Sequence, residues 1–416
     1  MANEATATLT RRVEWTTYAA SFFSVAILPM ANLVVPLWAL SIGASALEIG
    51  VIMGARSLLP VLFAIHTGAL IDRLGTRRVM IFSALFSLGL TLAYPALPHV
   101  GTLIALQVVI GQITTMGWIG AQTHIAQLTR GDPVYMGRFT SISILSNFIG
   151  PLAAGMAWDR LEVWGAFGLM ATWAAAMWVA VMAQPKTGGT AKSELPQRSL
   201  ARLLVPDLGD YIAAFRLALI PAVGLIIASS FLHNAALSMR FSFYVVYLEG
   251  IGMMGTMIGF LVGVSSLVGA CAALASGPLA RIVPPHWIAI SMILVSTTAI
   301  TATPLVSEFV ALFLLACVFG FGNGLAFAQI VAILARVVPA GQLGLTIGLR
   351  ITVNRFSSLT IPVVMGAVVH GFDIATAFFA VGAFLALAVL TVAGLAYLLP
   401  AVRTEPAENG ARGGHG

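Results

Sequence analysis

The sequence predicts an all-α membrane protein with twelve transmembrane helices in two pseudo-symmetric six-helix bundles. Of its 416 residues, 59% are apolar and only 9% are charged, and the mean hydropathy is +0.98. Soluble domains carry roughly 25% charged residues, so a chain this apolar needs the bilayer as its solvent. Because backbone groups in lipid must be hydrogen-bonded internally and no alternating β pattern is present, the spanning elements should be helices.

Apolar stretches of about 20 residues recur along the chain, which is the length that a helix needs to cross the hydrocarbon core. Short polar or Gly- and Pro-containing breaks separate them. The predicted spans of the first half are 16–41, 46–71, 78–97, 102–128, 137–157 and 163–184, and those of the second half are 216–248, 253–281, 286–304, 308–335, 342–369 and 373–399.

A polar segment separates the two groups of six spans. It contains both lysines of the chain, Lys186 and Lys192, together with glycine and proline, and this composition predicts a linker. The predicted domains are an N-terminal bundle at 1–184, a cytoplasmic linker at 185–215, a C-terminal bundle at 216–400 and a disordered cytoplasmic tail at 401–416.

The distribution of cations predicts the orientation. With the N-terminus inside, sixteen of the 21 Lys and Arg residues lie on the cytoplasmic side, where short loops retain positive charge. Both termini are then cytoplasmic, and the expected location is a bacterial-type inner (plasma) membrane. This topology accounts for the net charge of +6, so the basic balance gives no argument for nucleic-acid binding.

The two halves repeat each other in sequence. A shift of 209 residues aligns the region of helices one and two with that of helices seven and eight, and a later segment repeats at a shift of 211. Such parallel duplication is an architecture of transporters that alternate a midplane site between two faces. The first shift places Gly50, Gly54 and Gly68 on Gly259, Gly263 and Gly277, and the second places Gly111, Gly137, Pro151 and Gly155 on Gly322, Gly348, Pro362 and Gly366.

The loop after the second span carries a motif with a physical rationale. Glycines permit close helix approach and a tight turn, and the acidic residue can interact with helix N-termini and arginines. The pattern resembles the loop-2/3 signature Gly-x-x-x-Asp-Arg-x-Gly-x-(Arg/Lys)-(Arg/Lys) of the major facilitator superfamily. The residues that carry it are Gly68, Asp72, Arg73, Gly75, Arg77 and Arg78.

The resemblance extends over the whole chain and implies a secondary transporter that works by alternating access. In this family the motif latches the two halves on the cytoplasmic side. It implies that Asp72 faces the start of helix eleven, where Arg350 lies, with Asp132 or Arg138 joining the network.

Helix five carries Gly150, Pro151 and Gly155, which resemble the antiporter signature of exporters in the family. The resemblance implies the drug or metabolite:proton antiporter branch. Helix four departs from that branch, because the arginine expected four residues before Gly111 is Gln107.

Ionisable groups at membrane depth are functional candidates because burying charge there is costly. In the family, helices one, four, seven and ten line the cavity, which makes Arg240, midway along helix seven, a candidate for substrate contact. His233 lies seven residues earlier and titrates near neutral pH. The other predicted substrate or coupling residues are Asn32, Arg56, Gln122, His124, Asn323, Gln329 and Arg355.

The leading hypothesis is proton-coupled export of a small organic molecule, a drug or a metabolite. The first alternative is transport of an organic or phosphorylated anion by the buried arginines, and the second is a non-transporting receptor or lipid-handling scaffold. No nucleotide-binding loop, metal-ligand spacing or nucleophile motif is present, so the chain is predicted not to be an enzyme and to need no cofactor, metal or ATP. The expected partners are the substrate, protons and the lipid bilayer, with the protein as a monomer.

Overall fold

The computed structural model describes residues 11–63, 71, 74–129, 132–184, 216–337 and 343–398. All regular structure within these residues is helical. Ten helices are long and apolar enough to cross a membrane. One of the ten, Val134–Met182, contains two spans, and the apolar 17-residue helix Pro285–Thr301 adds another. The described part of the chain thus provides the twelve predicted spans, which confirms the predicted fold class.

The helix bounds agree with the predicted spans within a few residues at most ends. In the first half they are α1 (Arg11–Ser41), α2 (Ala46–Ala55), α3 (Thr76–Ala96), α4 (Val100–Leu128), and α5 and α6 within Pro133–Met182. In the second half they are α7 (Pro221–Met239, continuing through Arg240–Tyr244 to Val245–Gly250), α8 (Gly255–Leu274), α9 (Pro285–Thr301), α10 (Phe309–Val337), α11 (Leu343–Gly371) and α12 (Ile374–Leu398).

The division between α5 and α6 is a single residue. Glu162 has φ 54° and ψ −151°, which is not helical, so the backbone turns there and two spans emerge from one continuous stretch. We use α5 for residues 133–161 and α6 for residues 163–182.

Prolines begin three of the helices, where the missing amide hydrogen is no loss. They are Pro133 of α5, Pro221 of α7 and Pro285 of α9. The predicted start of helix seven at residue 216 is therefore five residues too early, because Pro221 opens the regular helix. Within α7, the turn Arg240–Tyr244 is a π-helix, a widened turn that is frequent at functional sites.

The described residues form two compact units. Unit 1 contains Met1–Gly43, Ala55–Pro206 and Met253–Gly263, and unit 2 contains Ala44–Gly54, Asp207–Gly252 and Val264–Gly416. The beginning of α2 therefore packs in unit 2, and the beginning of α8 packs in unit 1. The predicted linker at 185–215 and the tail at 401–416 lie outside the described residues.

The duplication is visible in backbone geometry. α1 is followed by Gly43 at φ 77°, and α7 is followed by Gly252 at φ 82°, two positions 209 residues apart. Both glycines occupy the left-handed region that a residue with a Cβ avoids, and both amides bond back to the preceding turn, at Leu40 and Glu249.

The structure also refines the register of the repeat in α4 and α10. A Cβ on Gly111 would overlap the backbone of Arg56, and a Cβ on Gly320 would overlap that of Ser265. Gly320 lies 209 residues after Gly111, as Ser265 does after Arg56. The sequence alignment of Gly111 with Gly322 is therefore wrong by two residues, and the shift of 211 applies to α5 and α11.

Candidate functional site

Unit 2 holds a buried polar cluster between α7, α10 and α11. The His233 side chain of α7 is 4% exposed, and its Nδ1 has no hydrogen-bond partner among the described residues. Its ring lies 6.1 Å from that of Phe327 on α10. The guanidinium of Arg350 on α11 lies 5.6 Å from the same Phe327 ring, and it interacts electrostatically with His233. A titratable group and a cation thus share one aromatic neighbour.

A ladder of amides and hydroxyls joins α7 to α11 next to this cluster. Asn234 donates from Nδ2 to the carbonyl oxygen of Asn354 (2.7 Å) and to Oγ of Ser358 (2.8 Å). Ser230 donates to Oδ1 of Asn354 (2.9 Å). These neutral hydrogen bonds fix α11, the helix that carries Arg350, against α7.

Arg240 occupies a different environment. It lies in the π-helical turn of α7 and is 2% exposed. Its guanidinium lies 4.5 Å from the ring of Tyr244 and 4.8 Å from the ring of Phe319 on α10, both within cation–π range. Arg240 therefore has little surface open to a ligand in this conformation.

Arg240 and His233 do not form one site. Their aromatic neighbours, Phe319 and Phe327, are eight residues apart on α10, or about 12 Å along the helix. A role of either residue in binding substrate or a proton stays a prediction, and His233 and Arg350 are the pair that the fold brings together.

Arg355 lies further along α11 than Arg350. It is half-buried and has no hydrogen bond or ion pair with another described residue. Twelve residues separate it from Leu343 at the start of the helix, so it lies about 18 Å along a helix of about 43 Å. This places a guanidinium near the middle of a membrane span.

The candidates on α1 and α4 are dispersed. Asn32 is 2% exposed, and both its side-chain polar atoms are without a partner among the described residues. Gln122 is exposed. His124 is buried, and its Nδ1 lies 3.0 Å from Oγ1 of Thr76, which indicates a structural hydrogen bond between α4 and α3.

The two candidates on α10 have different surroundings. Asn323 is half-buried. Gln329 is buried and donates from Nε2 to the carbonyl oxygen of Ser276 (2.9 Å), beyond the end of α8. This hydrogen bond ties α10 to the segment between α8 and α9. A contact of Gln329 with substrate stays a prediction.

The predicted gating motif is only partly described. Gly68, Asp72 and Arg73 lie outside the described residues, so the contact of Asp72 with Arg350 stays a prediction. Gly75 has φ 82° and precedes α3, as expected for the tight turn. Arg77 donates to the carbonyl oxygen of Met182 at the end of α6 (3.3 Å), and Arg78 is exposed.

The two residues expected to join that network have other partners. Asp132 caps α5 by accepting the amide hydrogen of Val134 (2.8 Å). Arg138 forms an ion pair with Glu14 of α1. These contacts tie the start of α5 to its own first turn and to α1.

The helix-five motif occupies a tightly packed surface in unit 1. A Cβ on Gly150 would lie 2.9 Å from Cβ of Ala26 on α1. The carbonyl oxygen of Pro151 lies against Gly259 of α8, and Gly155 lies against the carbonyl of Gly255. Small residues let the helix backbones approach closely, so the glycines are explained by packing of α5 between α1 and α8.

Sequence reasoning missed several residues of these clusters. Phe327, Phe319 and Tyr244 are aromatic residues in apolar helices, and nothing in their local sequence distinguishes them from core residues. Asn234 could have been found, because an amide in a membrane span usually has a partner on a neighbouring helix. Among the described residues, no group of three or more His, Cys, Asp or Glu side chains could hold a metal ion.

Comparison with known families identifies the class of protein. The sequence model of the Major Facilitator Superfamily matches residues 15–306 and 226–415, which together cover most of the chain. The chain therefore belongs to the Major Facilitator Superfamily, whose members are secondary transporters. No curated protein sequence matches the chain.

Solved structures share the fold at low sequence identity. A point mutant of the nucleoside transporter NupG superposes with a TM-score of 0.79 at 14% identity, covering 92% of this chain and 99% of that one. The peptide transporter POT in complex with sulfate gives 0.75 at 14%, covering 94% and 96%. A bacterial homologue of the human lysosomal transporter Spinster gives 0.71 at 11%, covering 96% and 100%. At this identity the likeness concerns the fold alone.

Proposed function

We propose that this secondary transporter carries a small organic anion, with Arg355 as the principal binding cation and Arg350 as a second one. The observation that supports this most is the half-buried Arg355 guanidinium near the middle of α11, which has no acidic partner in the described part of the chain. Arginine binds carboxylate and phosphate groups with two parallel hydrogen bonds, so it suits such a substrate.

The balance of charge along the described spans supports an anion over a cation. Four arginines, Arg56, Arg240, Arg350 and Arg355, lie within the spans, whereas the carboxylates of the described helices lie near helix ends. The ion pair of Arg138 with Glu14 lies outside this set of four arginines. Placing an arginine at membrane depth costs about 2.5–3.5 kcal/mol on insertion scales, which a bound anion would offset.

The test is transport of radiolabelled carboxylates and phosphates into proteoliposomes by the purified protein. Arg355→Gln should raise the KM for the transported anion by about tenfold or more, because a charge-assisted hydrogen-bond pair is lost. Arg355→Lys should restore part of the affinity, since the charge remains while the planar fork is lost. The matched control is Arg138→Gln, which removes an arginine from the exposed ion pair with Glu14. Unchanged anion KM in Arg355→Gln would refute the proposal.

A second candidate, proton-coupled export of a small organic molecule, rests on His233 and on α5. The buried His233 has an unbonded ring nitrogen beside Arg350, and it could exchange a proton during transport. The close packing at Gly150, Pro151 and Gly155 fits the helix-five pattern of exporters.

One flux experiment separates these candidates. Export that responds to an imposed pH gradient, and loses that response in His233→Gln, favours proton coupling. Anion flux that is indifferent to the gradient but sensitive to Arg355→Gln favours anion transport without it. Binding without counterflow would count against both and would favour a receptor or lipid-handling scaffold.

A further inference from the structure

Unit 2 contains an apolar crevice whose lining includes no residue of the proposed anion site. It lies where α7 and α9 begin and where α10 ends. Its lining includes Ala222 of α7, His286 of α9 and Val337 of α10, each within the first or last turn of its helix. Including the part that is open to solvent, the crevice encloses about 370 Å³ of space that no atom occupies.

The chemistry of the lining favours a hydrocarbon chain over a polar solute. Apart from Ser229 and His286, the lining residues are alanine, leucine, isoleucine and valine. The hydroxyl hydrogen of Ser229 is already donated to the carbonyl oxygen of Leu225 (2.8 Å). Covering such a surface with an apolar chain removes apolar area from water and requires no hydrogen bond. The crevice therefore suits part of a lipid chain better than it suits a polar headgroup.

The segments next to the lining carry three exposed arginines. Arg216 lies in the turn before α7, Arg281 lies between α8 and α9, and Arg336 lies in the last turn of α10. None of the three forms an ion pair with another described residue. The carbonyl oxygen of Ala218 lies against Gly224, so the turn that carries Arg216 is folded onto the start of α7. The mouth of the crevice is therefore cationic.

Two helix N-termini add to this positive potential. α7 and α9 begin with Pro221 and Pro285, and no side chain caps either start. The residue that follows each proline, Ala222 or His286, belongs to the lining of the crevice. A helix N-terminus carries a partial positive charge and attracts anions. Both N-termini and the three arginines thus favour negative charge at the same end of unit 2.

Exposed apolar side chains accompany the arginines. Leu219 and Ile220, before α7, are 80% and 46% exposed, and Ile282, before α9, is 78% exposed. Trp287 is half-buried in the first turn of α9, and indole rings are enriched where helices meet the membrane surface. In the predicted orientation these helix ends are cytoplasmic, and the cytoplasmic leaflet carries anionic lipids. A phosphate attached to a hydrocarbon chain accounts for the cations, the crevice and the exposed apolar residues, whereas a free phosphate accounts only for the cations.

We propose that the crevice and the three arginines form a binding site for an anionic phospholipid. Its phosphate contacts Arg216, Arg281 and Arg336, and one of its acyl chains lies against the crevice. Arginine binds phosphate through two parallel N–H donors, and basic clusters at the cytoplasmic ends of membrane spans bind acidic headgroups. A zwitterionic lipid brings its own cation towards the arginines and should bind more weakly. The site is independent of the transported substrate.

The first test uses the full-length protein, purified in a neutral detergent and freed of lipid. Its melting temperature is measured during titration with dioleoyl-phosphatidylglycerol in mixed micelles, because a ligand that binds only the folded state raises that temperature. We expect a saturable rise with this lipid, and none with dioleoyl-phosphatidylcholine or with glycerol phosphate, which lacks the chains. An equal rise with phosphatidylcholine would indicate unspecific lipid solvation, and an equal rise with glycerol phosphate would indicate a site for soluble anions. Either result would overturn the proposal.

Variants locate the headgroup. Each of Arg216→Gln, Arg281→Gln and Arg336→Gln should raise the phosphatidylglycerol concentration for half-maximal effect about fivefold, as expected for one arginine near an acidic headgroup. The triple variant should raise it well over tenfold. The single variants give the answer on their own if the triple variant does not fold.

The matched control removes the same charge from unit 1. Its triple variant combines Arg11→Gln, Arg12→Gln and Arg78→Gln, three exposed arginines on the same predicted side of the membrane, and it should keep the lipid response. Equal weakening in both triple variants would mean that net charge alone attracts the lipid, which would overturn the site. Arg355→Gln should also keep the lipid response even if it loses transport, so this inference and the proposed function can fail separately.

A photoactivatable lipid locates the chain. Phosphatidylglycerol with a diazirine on one acyl chain is bound to the protein, irradiated and mapped by mass spectrometry of the resulting peptides. We expect labels on the first turns of α7 and α9, around Ala222 and Ile290, and on the last turns of α10. Labelling confined to other helices would overturn the proposal.

Discussion

The beginnings of α2 and α8 are equivalent by sequence, yet they are held by different chemistry. The start of α8 packs on α5 in unit 1, and the start of α2 packs on α11 in unit 2. Gly155 and Gly259 meet the backbones of Gly255 and Pro151, and the equivalent Gly366 and Gly50 meet those of Ala46 and Pro362. The backbone contacts thus repeat in both units.

The polar contacts do not repeat. Asp159 of α5 accepts the amide hydrogens of Gly255 (2.7 Å) and Thr256 (2.8 Å) and the Thr256 hydroxyl (2.6 Å), so it caps α8 from another helix. The equivalent residue of α11, 211 positions later, is His370, which interacts electrostatically with Glu48.

The cap of α2 is local instead. Ser45 donates from its amide and hydroxyl to Glu48, both at 2.7 Å. Both copies of the duplicated unit thus keep the small residues that permit close packing of helix backbones, whereas the polar groups that cap α2 and α8 have diverged.

Breaking the shared backbone contact should have the largest effect. Gly155→Ala places a Cβ in overlap with the carbonyl oxygen of Gly255, whereas the equivalent Gly366→Ala places it 2.6 Å from that of Ala46. We expect the first variant to lose about 1–3 kcal/mol of stability or more, and the second somewhat less. Thermal unfolding in detergent measures both. The control is Gly137→Ala on the same helix, which has open space around it and should be neutral. Wild-type melting of Gly155→Ala would show that α5 can move away from α8 at no cost.

Removing the charge of the long-range cap should have an intermediate effect. Asp159→Asn keeps the shape but loses the carboxylate that faces the N-terminus of α8, so the melting temperature should fall by roughly 2–4 °C. Hydrogen exchange of the Gly255 and Thr256 amides should accelerate. His370→Gln, its counterpart in unit 2, should leave these amides unchanged. Equally accelerated exchange of these two amides in Asp159→Asn and His370→Gln would contradict the difference between the two units.

The smallest effect is expected for a helix that is capped only locally. Asp373 accepts the hydroxyl (2.6 Å) and the amide (2.8 Å) of Thr376 at the start of α12. The side-chain and backbone hydrogen bonds from Thr376 lower the pKa of this carboxyl group below its usual value. Its stabilising contribution is therefore complete above the unfolded-state pKa and is lost as the pH falls through the lower folded-state pKa.

Hydrogen exchange in the first turn of α12 measures that contribution. Protection should decline on acidification in the wild type and should be lower and independent of this titration in Asp373→Asn. Because the cap joins no second helix, the amides of α8 should not respond. A response there would mean that the local and long-range caps are coupled.

Several elements were predictable from the sequence because their signals are local. Gly75 sits in the turn before α3 with a positive φ, as the loop motif indicated. Gly155 packs against the carbonyl of Gly255, a role that a small residue in a membrane span favours. The start of α7 was misplaced because residues 217–220 are apolar and extend the apolar stretch, whereas Pro221 fixes the first turn of the helix.

The candidate site was less predictable. Arg240 was predicted to contact substrate because it lies midway along an apolar span, which hydropathy reveals. Its enclosure by the rings of Tyr244 and Phe319 depends on the π-helical turn and on the packing of α10, which hydropathy does not reveal. Arg350 was assigned to a gate from its position near the start of α11, and its neighbours in the structure are Phe327 and His233.

The sequence by itself determined the number of spans, the duplication, the expected orientation and the superfamily resemblance, because hydropathy, loop charge and short motifs are properties of contiguous residues. Only the tertiary structure decided which polar side chains meet. Membrane helices are apolar on every side, so their hydrophobic pattern does not indicate which face meets which neighbour. His233, Phe327 and Arg350 come from three helices with no shared motif, and only packing brings them to one cluster.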